Sequence, residues 1–478
     1  MKNKLQTKKI ALMASYDWSL RIGLATFHEF LDPTLVYKGK QYKLELTRVI
    51  ARPLRCGDNL SSDADLVVDR TTHWNNYYKC WAQQALNSQM AIVNNSYTFS
   101  NYDKHSTYDL MARAIHSKDY FPKTVLLPQF YPYTEYQYRQ EMWQYQQELI
   151  AKYTRFGFDP NRRVTDWSKV NHYLDRAEKF RPKSQKVREQ FYYGGNYLQE
   201  TVEQVFENQF PLYLKKSFGG GGSDVFKINS LDDLYDKYDN ETGGRVFHLQ
   251  EAIENYDLFI RCMGIGPQVL AMKYQPDEPL HRHYGTEKLR LDKEIYNRIS
   301  HYVLFINAYM RWTYNSFEAL LKDGRISPID FANACPDSNF TSLHVHFPWL
   351  LCGLLKWLSF CAVAEKDMRL DLEQEKYLNI LNNPKLSQEE KFNKYSKLSE
   401  AYFEIDAFED FCEENFKGLE DKMIEFYDKS FDEIIESAIT FSDFPQAEHS
   451  NFYKEYKDIM DNIFRPNAKD YLTTTLYA

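Results

Sequence analysis

Short apolar runs alternate with stretches of helical spacing over the first third of the chain. Residues 8–14, Lys-Lys-Ile-Ala-Leu-Met-Ala, read as a buried strand, and the pattern over about Leu20–Phe30 predicts a helix. Leu46–Ala51, Asp65–Val68 and Met90–Val93 read as further strands, with a helix over His73–Gln89 before the last of them. Strands alternating with helices predict an open parallel α/β sheet. Ligands of such sheets sit beyond the carboxyl ends of the strands. Asp69, Arg70 and His73 lie just past one such end, where they either meet a substrate or cap the loop. A helix falls within 101–127, and Phe121–Pro128 reads as a turn followed by a short apolar strand.

The pattern then changes. Residues 131–209 are rich in Tyr, Gln, Arg and Glu at helical spacing, punctuated by Pro160, Pro182 and Gly194-Gly195. They predict an inserted helical subdomain. Residues 210–334 are mixed, with strands expected at Tyr213–Lys215, Val225–Ile228, Val246–Ile253, Leu258–Met263, Gln268–Tyr274, Ser316–Leu321 and Ile326–Phe331, and a helix at Asp292–Met310. Lys322-Asp323-Gly324-Arg325 is a hairpin turn by composition. From Trp349 the chain reads as almost entirely helical. Its longest apolar stretch, Phe347–Ala364, is broken by Lys356 and reads as a buried helix, since a membrane span needs about 20 apolar residues.

Composition narrows the class. The chain has 478 residues, enough for two to three domains of about 150 each. Its net charge of −8 argues against a nucleic-acid-coating protein. Residues 361–478 hold 14 Lys and Arg against 27 Asp and Glu, a balance of −13 that leaves about +5 for the rest. This split suggests a separate acidic helical module and places the basic balance where a phosphate ligand would bind. The seven cysteines are odd in number and never spaced C-x-x-C, so neither a disulfide framework nor a zinc site is expected, and a cytoplasmic location is. The polar, basic stretch Met1–Lys9 has no apolar run of the kind a secretory signal carries.

Two features carry candidate chemistry. Lys215-Lys216-Ser217-Phe218-Gly219-Gly220-Gly221-Gly222-Ser223 sits between two strand-like segments. Each glycine loses much backbone entropy on ordering. Successive N–H groups without Cβ atoms can close over phosphates; the alternative is a bare hairpin tip. The loop is neither a G-x-x-x-x-G-K-[ST] motif nor a dinucleotide fingerprint. Downstream, the 322–325 turn sets Glu318 and Asp330 nearly opposite each other, with Asn333 three residues on. Paired carboxylates repel unless a cation lies between them, and such oxygen ligands suit Mg²⁺; the alternative is a solvent-facing charged pair. Three further segments are placed to meet a substrate. Arg282, in the loop Gln275–Tyr284, offers a planar fork for a carboxylate, the alternative being a solvated charged loop, and Arg311, which precedes Glu318, is expected to approach a transferring phosphate. His344 and His346 read as hydrogen-bonding or packing residues.

In order along the chain these features resemble the ATP-grasp superfamily. Asn94-Asn95-Ser96…Asp103-Lys104 followed by Phe121-Pro122-Lys123-Thr124-Val125 resembles the N-s…D-K…P-x-T segment of glutathione synthetase-like and ribosomal-protein glutamate ligase-like members. Phe210–Lys216 resembles their F-P-x-x-x-K-P strand, with Lys216 in place of the proline. Leu249-Gln250-Glu251-Ala252-Ile253 resembles the adenine hinge. Glu318…Asp330-Phe331-Ala332-Asn333 resembles the metal ligands, as D-x-x-N where the family commonly has E-x-N. The resemblance spans about 8–130 and 208–336.

It implies an ATP-grasp fold, α/β with an α+β nucleotide-binding half, an amino-terminal open parallel domain, a helical insertion and a helical carboxyl-terminal extension. The expected parts are 1–130 (the amino-terminal domain and the start of the central one), 131–207 (insertion), 208–345 (nucleotide and metal binding) and 346–478 (acidic helical region). By position, Lys104 and Lys215 would contact ATP phosphates and residues Gly219, Gly220, Gly221, Gly222 and Ser223 would cover them. Gln250, Glu251 and Ile253 would line the hinge, and Asp257 would meet the ribose. Glu318, Asp330 and Asn333 would hold Mg²⁺, with Mn²⁺ as an alternative. The implied chemistry is carboxylate activation as an acyl phosphate followed by attack of an amine, less often a thiol. The partners would be small carboxylates and amines or a peptide or protein acceptor, with no nucleic acid or membrane. A homo-oligomer through the carboxyl-terminal helices is compatible with this. A reading from a different class is a nucleotide-binding regulatory module without turnover.

Overall fold

In the computed structural model, the described residues are 5–14, 17–60, 64–73, 75–101, 104–127, 197–217, 225–241, 246–366 and 370–473. The expected insertion 131–207 lies almost entirely outside them. The chain forms two compact units, one of Met1–Pro122 with Ile253–Ala478 and one of Lys123–Ala252. The division therefore falls inside the expected 208–345 part.

The first unit contains two sheets. One has the order β2-β3-β1-β4-β5, built from β1 (Gln6–Met13), β2 (Thr34–Tyr37), β3 (Lys40–Arg48), β4 (Leu66–Asp69) and β5 (Ala91–Val93). β1, β3, β4 and β5 are mutually parallel, as expected, and their crossovers include α1 (Trp18–Leu31) and α2 (Asn76–Asn87). The apolar run at 46–51 marks only the end of β3. The strand starts earlier, where buried Tyr42 and Leu44 alternate with more exposed neighbours. The antiparallel edge strand β2 is an addition. Lys38 and Gly39 both take positive φ, 48° and 73°, in the two-residue loop that joins it to β3.

After β5 come α3 (Ser96–Asn101) and α4 (Lys104–Ala114). The second sheet of this unit, order β11-β10-β12-β13, is antiparallel: β10 (Leu258–Ile265), β11 (Gln268–Lys273), β12 (Tyr314–Lys322) and β13 (Arg325–Asn333). The turn at Gly266 (φ +54°) packs so closely that a Cβ there would lie 2.3 Å from the Trp357 ring.

The second unit is smaller. Its sheet has the order β6-β9-β7-β8, formed by β6 (Thr124–Leu127), β7 (Leu212–Lys216), β8 (Val225–Ile228) and β9 (Phe247–Glu251). The helices α5 (Tyr197–Phe206) and α6 (Leu231–Glu241) supply Val202, Phe206, Leu234 and Tyr238 to its own apolar core. α6 was not among the expected elements, although Ser230 followed by Asp232 and Asp233 is a helix start by composition.

Helices complete the first unit. α7 (Lys293–Met310) is capped by Asp292, whose carboxylate accepts from the Glu294 N–H at 2.8 Å. α8 (Phe340–Leu343) precedes α9 (Phe347–Val363), and α10 (Gln374–Leu381), α11 (Gln388–Phe403), α12 (Ile405–Asn415), α13 (Leu419–Thr440), α14 (His449–Ile459) and α15 (Ala468–Leu472) follow. The apolar stretch is the buried helix expected. Among the described residues Phe340–Val363 alone is long and apolar enough to cross a membrane, and 94% of its apolar window lies inside the protein. The acidic region is not a separate module. One apolar cluster runs from Ile10 on β1 through α9 to Leu472 on α15. Lys8 pairs with Glu365 at 2.8 Å, and Asn415 on α12 bonds both backbone groups of Val36. Its acidity is that of the outer faces of amphipathic helices.

Candidate functional site

The β12–β13 hairpin turns through Asp323 and Gly324, both at positive φ (51° and 74°), as the Asp-Gly pair requires. It sets Glu318 directly opposite Asp330, and Ser316 opposite Asn333. One residue of β12, Phe317, thus faces two of β13, Phe331 and Ala332, so a bulge lies between. Side chains alternate along a strand. Without the bulge, Asn333 would point away from Asp330; with it, the two share a face. The D-x-x-N spacing thus brings to one face two side chains that a regular strand would bring together at D-x-N.

Two cations meet this face. Lys104, the first residue of α4, bonds Asp330 at 2.7 Å. Burial works against its charge, but Asp330 and then Glu318 outweigh that and hold its pKa above the ordinary lysine value. Arg261 on β10 stands opposite Glu318 in the sheet and pairs with it at 3.0 Å, with side-chain exposures of 12% and 20%. Its guanidinium lies over the rings of Tyr274 and Tyr284, at 5.0 and 5.7 Å, and donates to Ser316 Oγ at 3.3 Å. Asn333 completes the row. With its Oδ1 accepting from Arg261 (3.2 Å) and Ser316 (2.9 Å), its Nδ2 donates to the Cys335 carbonyl (3.2 Å) and every polar atom is satisfied. Beneath the pair, Tyr108 donates to the Ile329 carbonyl at 2.8 Å; burial, with Asp330 and Glu318 nearby, pushes its phenol well above the usual range.

The second unit has a cluster of its own. Gln250 on β9 lies opposite Thr124 on β6 and Tyr213 on β7, one step along the same face from Lys215. Lys215 Nζ donates to Gln250 Oε1 at 2.7 Å, and Gln250 Nε2 donates to Thr124 Oγ1 at 2.8 Å. The Glu251 carboxylate accepts from the Lys123 N–H at 3.1 Å. β7 and β8, which flank the glycine loop, are antiparallel neighbours. The loop residues Gly219–Ser223 themselves lie outside the described residues.

Other expected residues have different surroundings. Ile253 falls in the first unit, at the point where the chain re-enters it. The Asp257 carboxylate accepts the Asp323 N–H at 2.8 Å and so supports the hairpin turn. Arg282 is exposed and pairs with Glu455 on α14 at 2.6 Å. Arg311 caps α7 in the left-handed conformation, reaches Glu373 at 3.4 Å and lies 4.5 Å over the Tyr402 ring. It is 2% exposed, and these contacts hold it among the carboxyl-terminal helices; none of them is with Glu318 or Asp330. His344 and His346 are buried, and burial lowers their pKa values to about 3 and about 4. His346 Nε2 meets the Gly285 carbonyl at 2.9 Å, a packing role as expected.

Beyond β4, the capping alternative describes Asp69 and Arg70. The Asp69 carboxyl accepts from the N–H groups of Thr71 (2.9 Å) and Thr72 (3.0 Å), and Arg70 pairs with Asp17 at 2.6 Å.

Arg261, Ser316 and Thr124 were not singled out from the sequence. Arg261 left a signal, a charge in the middle of the apolar strand Leu-Phe-Ile-Arg-Cys-Met-Gly-Ile. Thr124 stood within the P-x-T segment without a role assigned to it, and Ser316 left no signal, because their contacts depend on cross-strand register.

The donor set fits Mg²⁺. Two carboxylates and an amide oxygen share one face, and their charge is already balanced by cations on that face. Two carboxylates with phosphate and water oxygens are an ordinary Mg²⁺ set; among the described residues no three His, Cys, Asp or Glu side chains group to hold a metal.

No protein-family model and no curated protein matches the chain. Solved structures do. D-alanine–D-alanine ligase from Bacillus anthracis, complexed with ATP, is 12% identical over 79% of this chain and 99% of its own, with a TM-score of 0.39. A RimK domain ATP-grasp protein from Sphaerobacter thermophilus is 11% identical over 69% and 92%, with a TM-score of 0.39. The ATP-grasp ligase PsnB, complexed with minimal precursor, Mg and ADP, is 11% identical over 70% and 92%, with a TM-score of 0.38. The chain is thus similar to solved ATP-grasp proteins, the superfamily that its motifs resemble.

Proposed function

We propose that this chain is an ATP-dependent ligase of the ATP-grasp type, which activates a carboxylate as an acyl phosphate and joins it to an amine. The observation that carries this reading is the meeting of Glu318 and Asp330 across the hairpin, with Asn333 brought to their face by the bulge and Lys104 and Arg261 against them.

In this reading the nucleotide-binding groups Lys215, Gln250 and Glu251 belong to the second unit, together with the glycine loop. The carboxylates Glu318 and Asp330 and the oxygen of Asn333 would hold Mg²⁺, which would supply charge neutralisation at the phosphates. Lys104 and Arg261 add fixed positive charge on the same face. A substrate carboxylate oxygen attacks the γ-phosphorus, and the bridging oxygen leaves with ADP. The amine nitrogen then attacks the acyl carbon, phosphate departs, and the nitrogen gives up a proton. Positioning and charge stabilisation supply the catalysis, without a covalent enzyme intermediate.

The test is ADP and phosphate release from ATP and Mg²⁺ with mixtures of amino acids and small peptides. The wild-type chain is expected to turn over with at least one mixture, and Asp330→Ala to lose that turnover while keeping a cooperative thermal transition. Turnover at the wild-type rate in Asp330→Ala would remove the carboxylate pair from the chemistry. Tight ATP binding without turnover in any mixture would favour the regulatory module.

A further inference from the structure

We propose that Thr124 and Gln250 are positioning residues that set the Lys215 ammonium for the phosphates of the nucleotide. This rests on the nucleotide reading above and assigns the two side chains a task within it.

The three residues come from three strands, and register brings them together. Thr124 and Gln250 are direct partners across β6 and β9, and Lys215 is diagonal to Gln250 across β9 and β7. Gln250 is 1% exposed, so its amide must be satisfied within the protein. An ammonium can only donate. The Gln250 carbonyl oxygen must therefore face Lys215, at 2.7 Å, and its NH₂ must face Thr124, at 2.8 Å. The threonine hydroxyl is the acceptor that makes this orientation tenable. Tyr213 adds a wall, with Lys215 Nζ 5.8 Å from its ring centre.

The chemistry of the holder matters. A lysine stem has four rotatable carbons and loses much freedom when it is fixed. Holding it before the ligand arrives removes that cost from binding. A carboxylate could hold it as well, but would cancel its charge. The Gln250 amide holds the ammonium with a group that carries no charge of its own. Lys104 shows the contrast, since its 2.7 Å partner is the carboxylate of Asp330.

The experiment measures ATP and adenosine affinity by calorimetry for the full chain and the variants Gln250→Glu, Thr124→Val and Thr124→Ser. Gln250→Glu is expected to weaken ATP roughly tenfold to a hundredfold, the weight of one charge-assisted hydrogen bond. Thr124→Val is expected to weaken ATP several-fold and to leave adenosine unchanged, and Thr124→Ser to recover most of the ATP loss. In a Lys215→Ala background, Gln250→Glu is expected to add nothing. Equal losses for ATP and adenosine in Thr124→Val would mean that this residue merely supports the sheet, and would overturn the inference. ATP affinity unchanged in both Gln250→Glu and Thr124→Val would also overturn it while leaving the nucleotide reading standing. Failure of the wild-type chain to bind ATP with Mg²⁺ would remove that reading, and the inference with it.

Discussion

Arg261 sits at the centre of the charge arrangement on the β10–β12–β13 face. It pairs with Glu318, donates to Ser316, and lies over two tyrosine rings. A half-buried carboxylate that loses such a partner keeps its desolvation penalty without compensation. Arg261→Met, close in volume and neutral, is therefore expected to destabilise the fold by about 3 kcal/mol. The same variant removes the Arg261 charge from the face of Glu318 and Asp330. Mg²⁺ should then stabilise Arg261→Met more than the wild type, because the ion restores the missing charge. Denaturant unfolding of both proteins with and without Mg²⁺ measures each effect. A variant as stable as the wild type, or one indifferent to Mg²⁺, would contradict the balance of two carboxylates and two cations.

At the scale of elements, the 3₁₀ turn His344–His346 between α8 and α9 carries a pH dependence. His346 is 1% exposed and its ring meets a carbonyl, so burial disfavours the charged form and lowers its pKa from 6.5 to about 4. A histidine with a depressed folded pKa takes its proton first in the unfolded chain. Its contribution to stability is intact above pH 6.5 and is lost as pH falls towards 4. The full loss is on the order of 3 kcal/mol. His346→Gln keeps a donor for the Gly285 carbonyl but does not titrate. Its stability is expected to fall less steeply between pH 6.5 and 4 than that of the wild type; parallel curves from denaturant unfolding would show that His346 is already solvated. Elements of this kind also show what was legible in advance. Strands β1, β4, β8, β12 and β13 follow apolar runs, and the β12–β13 register follows from an Asp-Gly turn. The bulge at 330–333 has no local signature, because it exists only relative to β12. The same is true of the Thr124–Gln250–Lys215 row, whose members are up to 126 residues apart. What sequence pattern could see was the axis of each strand; what it could not see was which side chains become neighbours across strands.

For the whole molecule, charge balance along the chain suggested a boundary before residue 361 that packing does not have. Phe27 and Phe30 of α1 stack against Phe426 of α13 at 5.0 and 5.4 Å, and Tyr37 of β2 meets Phe411 of α12 at 6.1 Å. Phe305 of α7 lies 4.3 Å from Tyr395 of α11, whose hydroxyl donates to the Ala114 carbonyl at 3.1 Å. Ion pairs such as Lys457–Asp432 and Arg465–Asp428 lie on the outside and contribute little each. The helices after Ala364 are therefore part of the core on which the first unit is built. Ending the chain at Ala364 would leave Phe27, Tyr302, Phe305 and much of α9 facing water, at about 1.5–3 kcal/mol for each large apolar side chain exposed. That exceeds the few kcal/mol by which domains are ordinarily stable. The truncated chain is expected to lack a cooperative thermal transition and to bind a hydrophobic dye, with loss of near-ultraviolet circular dichroism. A truncated chain that melted cooperatively would restore the separate acidic module, and would show that the amino-terminal sheet and the carboxylate hairpin can be held without it.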